Sequence, residues 1–229
     1  MVSSDEPSTN SSLQPLAHIQ QAYTRTLLQG DRLQAQKLTF EALRQGFGVR
    51  DIYLGVFQPS LYEIGRLWEN GQLSIAQEHL ATAITQSVLS AVYAQIDLPS
   101  NLEKHAIVAC LSGNYHEIGP RMFADFLQMA GYNTRFLGAN TPTDGVLEMI
   151  DSLKPDVVGL PATTFEQVEP VRQAIERLRA DFMSYRPIVI VGGLAFNTVD
   201  GLWKTVSADL WNKDAARVVD SLIGSSGWG

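Results

Sequence analysis

Apolar residues in the first hundred positions recur at helical spacing. Leu16, Ile19, Tyr23 and Leu27 share one face of a helix that Pro15 suits at its first turn and Gly30 ends. A second helix follows Asp31, aligns Ala35, Leu38 and Ala42, and closes at Gly46. A third segment begins near Asp51. Pro59 starts or kinks the next one, along which Phe57, Leu61, Ile64 and Trp68 recur. Gly71 breaks that run. Ser74-Ile-Ala-Gln77 has the form of a capping box and opens a helix reaching about Gln95, with Ala76, Leu80, Ile84, Val88 and Val92 on or near one face. Four or five helices with short connections predict an antiparallel bundle.

The period changes beyond a Pro- and Asn-containing linker at 98–103. Strand-like runs at 105–111, 134–138, 156–160 and 187–193, and a weaker one at 207–211, alternate with amphipathic segments at 120–130, 142–153, 166–179 and 214–222. Apolar strands alternating with helices imply a parallel sheet covered on both faces. The expected fold is therefore a helical bundle at 14–97, then a Rossmann-like (flavodoxin-like) parallel five-stranded domain at 104–226. Residues 1–13, rich in Ser, Asn and Thr, read as a disordered tail.

Composition narrows the function classes. The chain has 229 residues, room for two small cores, and is 45% hydrophobic and 18% charged, as folded globular proteins are. The net charge of -7 and the lack of a basic stripe count against direct nucleic-acid binding and suit a protein partner. The single cysteine, Cys110, excludes an intramolecular disulfide and a cysteine-built metal cluster. The amino-terminal stretch is not a signal peptide and no run of ~18 apolar residues exists, so the expected location is the cytoplasm, away from membranes.

On a parallel sheet, ligands sit at the carboxyl ends of strands where strand order reverses. His116 lies there, on the loop after the first strand. Gly113 and Gly119 on either side would let backbone approach a bulky group. A lone loop histidine is more often a solvated or capping residue. The spacings change that weighting: Asn114-Tyr115-His116-x-x-Gly119 precedes Pro161-Ala162-Thr163 by 41 residues, and 28 more lead to Gly192-Gly193.

Over 104–225 this pattern resembles base-off, His-on cobalamin-binding domains, whose signature is Asp-x-His-x-x-Gly, then Ser-x-Leu, then Gly-Gly at matching gaps. The resemblance implies His116 as the lower axial cobalt ligand. It also implies a slot for the displaced nucleotide tail lined by Gly119, Gly192 and Gly193. Two positions depart from the signature. Asn114 replaces the carboxylate that orients the ligand ring, and an amide supplies no charge. Pro161 replaces the Ser that bonds the nucleotide base, leaving Thr163 or Thr164 to compensate.

The helical half carries a second motif. Trp68, nine residues, then Glu78-His79 resembles the Trp-x9-Glu-His motif of CarH-type adenosylcobalamin photoreceptors, over about 15–97. In that family the Trp and the Glu-His pair contact the upper face of the cofactor, where the adenosyl group sits. Periodicity alone reads Trp68 as a core residue and Glu78 as a first-turn carboxylate favoured by the helix dipole. A third departure is Glu69, which stands where the family has the histidine that takes the upper cobalt position after illumination. His79 is the nearby substitute, since His18 and His105 read as surface or strand-edge residues.

The layout resembles stand-alone cobalamin regulators without a preceding DNA-binding domain. The resemblance implies a homo-oligomer acting on a transcription factor or signalling protein, with no catalysis of its own. The expected function is an adenosylcobalamin light sensor. One alternative is a corrinoid carrier of a methyltransferase system, loaded as methylcobalamin. The other is the same fold holding another tetrapyrrole such as a bilin.

Overall fold

The computed structural model describes residues 13–99, 103–182 and 184–224. Residues 1–12 of the expected tail at 1–13 and residues 100–102 of the expected linker at 98–103 lie outside them, while Leu13 already belongs to the first helix. The chain divides into two compact units, Met1–Ile96 and Asp97–Gly229. Among the described residues no helix is long and apolar enough to cross a membrane.

The first unit is helical: α1 (Leu13–Gln29), α2 (Arg32–Arg44), α3 (Val49–Ile52), α4 (Gln58–Glu69) and α5 (Ile75–Tyr93). Asp31 caps α2, its carboxylate accepting from the Gln34 N–H at 2.9 Å. The core is aromatic. The rings of Tyr23 and Phe57 lie 5.0 Å apart and those of Tyr53 and Phe57 5.7 Å apart, all three fully buried. Pro59 stands in the first turn of α4, as expected, but the chain stays helical on the way into it. One π-helical turn, Tyr53–Phe57, joins α3 to α4, and the Gln58 N–H reaches the Tyr53 carbonyl. The wider turn accommodates a proline that has no N–H to donate and whose ring would crowd an α-helical carbonyl.

The capping box at Ser74 forms as expected. The Ser74 N–H donates to Gln77 Oε1 at 2.9 Å, and Ser74 Oγ accepts from the Gln77 N–H at 3.3 Å. The buried stripe of α5 is Ala81, Ile84, Thr85, Val88, Leu89 and Val92. Ala76 and Leu80 lie outside it and are exposed. The first turn and a half of α5 thus projects past the core.

The second unit is a parallel sheet of four strands, β1 (Lys104–Val108), β2 (Tyr132–Phe136), β3 (Val157–Pro161) and β4 (Ile188–Gly192), in the order β2-β1-β3-β4. Helices α6 (Ile118–Met129), α7 (Thr143–Leu153), α8 (Val168–Asp181) and α11 (Ala215–Gly224) cover it, and short helices α9 (Leu194–Thr198) and α10 (Leu202–Thr205) follow β4. Side chains alternate about the strands. Ile107, Val158, Leu160, Val189 and Val191 join one large core with residues of α7 and α8. Opposite them, Gly159 leaves room for Phe123 of α6: a Cβ there would stand 3.1 Å from the Phe123 ring. Both faces are covered, so the strands read as continuous apolar runs.

The expected fifth strand at 207–211 shrinks to a single bridge, Ile190 to Leu210. Ser207 takes a left-handed conformation, and the Asp209 carboxylate, not a main-chain carbonyl, accepts the Val189 N–H at 2.7 Å while pairing with Arg179. A carboxylate occupying the ladder position prevents further pairing.

Candidate functional site

The strand order reverses between β1 and β3, and the chain parts there. Up to Val108 and Ala109, β1 bonds to both neighbours. Beyond them it stays with the segment after β2, where the Thr141 N–H donates to the Cys110 carbonyl at 2.8 Å and Leu111 bridges to Thr141. A crevice at this point is the ligand position of open α/β sheets. The loop 111–117 beside this opening carries His116.

That loop is held by neutral amides. Asn114 is buried, 1% exposed. Its Nδ2 donates to the Pro161 carbonyl at 2.9 Å, and its Oδ1 accepts the His116 backbone N–H at 3.0 Å. Asn140 receives the Gly113 N–H on Oδ1 at 2.9 Å, and its own N–H donates to the Asn114 carbonyl at 2.9 Å. Asn114 is therefore committed to main chain and does not touch the imidazole. The His116 side chain is exposed, with no hydrogen bond from its ring among the described residues, and Tyr115 beside it is exposed too.

Pro161 ends β3, buried, with its carbonyl serving as the acceptor for Asn114. Of the two threonines that follow, Thr164 takes part in a capping box with Gln167. Thr163 makes only a backbone bond, to Gln167 Oε1 at 2.7 Å, so its hydroxyl stays available. Gly193 has φ +92, and a Cβ there would lie 2.3 Å from the Ala162 carbonyl oxygen. At Gly119 and Gly192 a Cβ would meet nothing within 4 Å.

These features fit a large metallated macrocycle. Among the described residues no three His, Cys, Asp or Glu side chains gather as a metal cluster. One exposed imidazole supplies one bond, which suits a metal already holding equatorial donors. Gly119, in the first turn of α6, and Gly192, at the end of β4, each have open space where a Cβ would stand. Cys110 lies at its base, fully buried, its Sγ 3.9 Å from the His116 carbonyl. Burial, with the Glu117 carboxylate adding to it, pushes the Cys110 thiol up to about 12. Folded protein near neutral pH should show under about a tenth of the reaction with a disulfide reagent that unfolded protein shows. Full reaction without denaturant would place the thiol outside the core.

In the helical unit, Trp68 is not a core residue: it is 43% exposed, while Phe57 and Ile64 of the same run are buried. A tight turn folds back on it, with the Gly71 N–H bonded to the Trp68 carbonyl at 2.9 Å and the Gln72 N–H to the Leu67 carbonyl at 2.8 Å. This turn sets the end of α4 beside the start of α5, where Glu78 and His79 stand. One Glu78 carboxylate oxygen lies 2.6 Å from His79 Nδ1 and the other accepts from Thr82 Oγ1 at 2.9 Å. Glu69 is exposed.

Sequence reasoning passed over Gln167 and Asn140. Thr164-x-x-Gln167 has the same capping-box form as Ser74-x-x-Gln77, which was the available signal for the first. Nothing local marks Asn140.

Two family models, each described as B12 binding domain, match residues 19–93 and 104–219. The HTH-type transcriptional repressor CarH of Myxococcus xanthus is 29% identical over 141 residues, covering 61% of this chain and 46% of that protein. CarA of the same organism is 32% identical over 143 residues, with the same coverages. The chain thus spans about half the length of these two relatives. Dimethylamine corrinoid protein 2 of Methanosarcina acetivorans is 24% identical over 160 residues, 69% of this chain and 73% of that protein. The solved structure of the Methanosarcina barkeri monomethylamine corrinoid protein superposes with a TM-score of 0.78 at 17% identity, covering 91% of this chain and 98% of that one, which shows a shared fold. Since the match at 104–219 alone takes in half of the sequence, the chain belongs to the B12 binding domain family.

Proposed function

We propose that this chain is a cobalamin-dependent light-responsive regulatory module, not an enzyme, with adenosylcobalamin held base-off and His116 as its lower axial ligand. The observation that carries the reading is the exposed Trp68 set on the same end of the helical unit as Glu78 and His79. An indole kept out of the core beside a carboxylate–imidazole pair offers a nucleoside a stacking surface and polar partners. The 29% identity to a repressor of the CarH type supports the same reading.

When bound, adenosylcobalamin supplies a light-labile cobalt–carbon bond. The chain's own groups do the rest. His116 presents a ring nitrogen, and its backbone is fixed by Asn114. The space at Gly119 and Gly192 would admit the nucleotide tail, and the Thr163 hydroxyl would offer it a hydrogen bond in place of the serine that Pro161 cannot supply. Light then changes association of the chain with itself or with a protein partner. The acidic charge favours such a partner over nucleic acid.

A second reading, a corrinoid carrier serving a methyltransferase, is favoured by the greater span of the match to the dimethylamine corrinoid protein. The buried Cys110 leaves a bilin no accessible thiol for thioether attachment.

An absorption spectrum of protein mixed with adenosylcobalamin in the dark, desalted, and then illuminated with green light tests the proposal. The expected result is a retained corrinoid whose spectrum changes on illumination, and changes differently in His116→Ala. A corrinoid retained only in the methyl form, transferring its methyl group and indifferent to light, would favour the carrier. No retained corrinoid would overturn both.

A further inference from the structure

We infer that Gln167 is a positioning residue for His116, a latch joining the turn after β3 to the ligand loop after β1. The inference deepens the corrinoid reading of this crevice and rests on it.

Half of the Gln167 side chain has an ordinary local task. Its Oε1 accepts the Thr163 N–H at 2.7 Å and the Thr164 N–H at 3.2 Å, completing the capping box that starts the turn into α8. That task needs only a carbonyl oxygen. The other half reaches across the crevice: Nε2 donates to the Gly113 carbonyl at 3.2 Å, 54 positions away in the chain. Gln167 is 9% exposed, so this bond is made where water competes poorly.

Gly113 immediately precedes Asn114, whose Oδ1 holds the His116 N–H. The Gly113 N–H and the Asn114 carbonyl are both fixed by Asn140. The Gly113 carbonyl is the remaining main-chain group of this stretch with a side-chain anchor, and Gln167 supplies it. Asn114 ties the loop to the end of β3, whereas Gln167 ties it to the segment carrying Thr163. The two groups assigned to the ligand, the His116 ring and the Thr163 hydroxyl, thus stand on loops that one amide holds in register.

Gln167→Glu separates the two tasks. A glutamate preserves the capping box but, ionised at about pH 8, has no proton for Gly113. Gln167→Ala removes both bonds. Amide hydrogen exchange of the corrinoid-free protein is the primary measurement. In Gln167→Glu the Thr164 amide should stay protected, while the Gly113 and His116 amides, neither bonded to Gln167, should exchange about fivefold faster, the worth of one neutral hydrogen bond. Gln167→Ala should expose both sets. Adenosylcobalamin affinity should fall by a similar factor of about five in both variants.

Unchanged exchange at Gly113 and His116 in Gln167→Glu would overturn the latch, leaving Gln167 a capping residue. Faster exchange there, in a protein that retains no corrinoid even as wild type, would uphold the latch and remove the corrinoid reading instead.

Discussion

Gly193→Ala is expected to destabilise the sheet unit by at least about 3 kcal/mol. Two independent costs meet at this residue. Its backbone has φ +92 and ψ 172, a region that essentially only glycine occupies. A Cβ would also stand 2.3 Å from the Ala162 carbonyl oxygen and 2.9 Å from its carbon. Neither partner can retreat easily. The Ala162 N–H is bonded to the Gly192 carbonyl at 2.9 Å, and the Ala162 carbonyl accepts from the Ala195 N–H at 3.3 Å. The contact draws the ends of β3 and β4 together at the edge of the crevice. Gly192→Ala is the control, since its Cβ meets nothing within 4 Å; it should shift stability by under about 1 kcal/mol. Urea unfolding of the three proteins decides the matter. Equal midpoints for Gly193→Ala and wild type would mean that the ends of β3 and β4 are not held at this distance.

The contrast between these neighbours shows where sequence reading stops. The pair was recognisable as a Gly-Gly after a strand, but nothing in the letters tells which glycine faces Ala162. The same holds elsewhere. Runs such as 156–160 announced buried strands because both faces of the sheet are covered. The fifth run failed because Asp209 puts its carboxylate where a ladder carbonyl would sit, and Arg179, 30 positions away, pairs with that carboxylate. Ser74 and Gln77 declared the start of α5, since a capping box is local. How far α5 projects before reaching the core depends on its neighbours, and Leu80 came out exposed. Trp68 shows the reverse case. Its spacing matched the core residues Phe57 and Ile64, and the turn at Gly71 placed it on the surface. At the crevice, the place of His116 on the loop after the first strand was legible from the strand pattern. The partner of Asn114 was not, because Pro161 is 47 positions away and offers only its carbonyl.

That partnership makes Asn114→Asp, which restores the carboxylate of the wider cobalamin-binding signature, a destabilising change. The Asn114 Nδ2 donates to the Pro161 carbonyl, and a carboxylate oxygen in its place would face that carbonyl at 2.9 Å with no proton between them. The site is buried and the remaining contact is one donor, the His116 N–H. Desolvation and the opposed oxygen both disfavour the charged form, so the introduced carboxyl should titrate above its ordinary value of about 3.9. The sign follows from proton binding. Folded protein would hold this proton more tightly than unfolded protein, so stability falls as pH rises. Below about pH 4 the protonated acid can donate to Pro161 and the variant should approach wild type. Between there and neutrality it should lose about 2 to 3 kcal/mol, the cost of a buried polar pair left unmade. Wild type has no such step at this position, because an amide does not titrate. Urea unfolding of both proteins at several pH values from about 4 to 8 gives the difference directly. A difference that stays flat across that range would mean that the carboxylate turns away from Pro161. The restored acid would then be free to orient the His116 ring, as Asn114 does not.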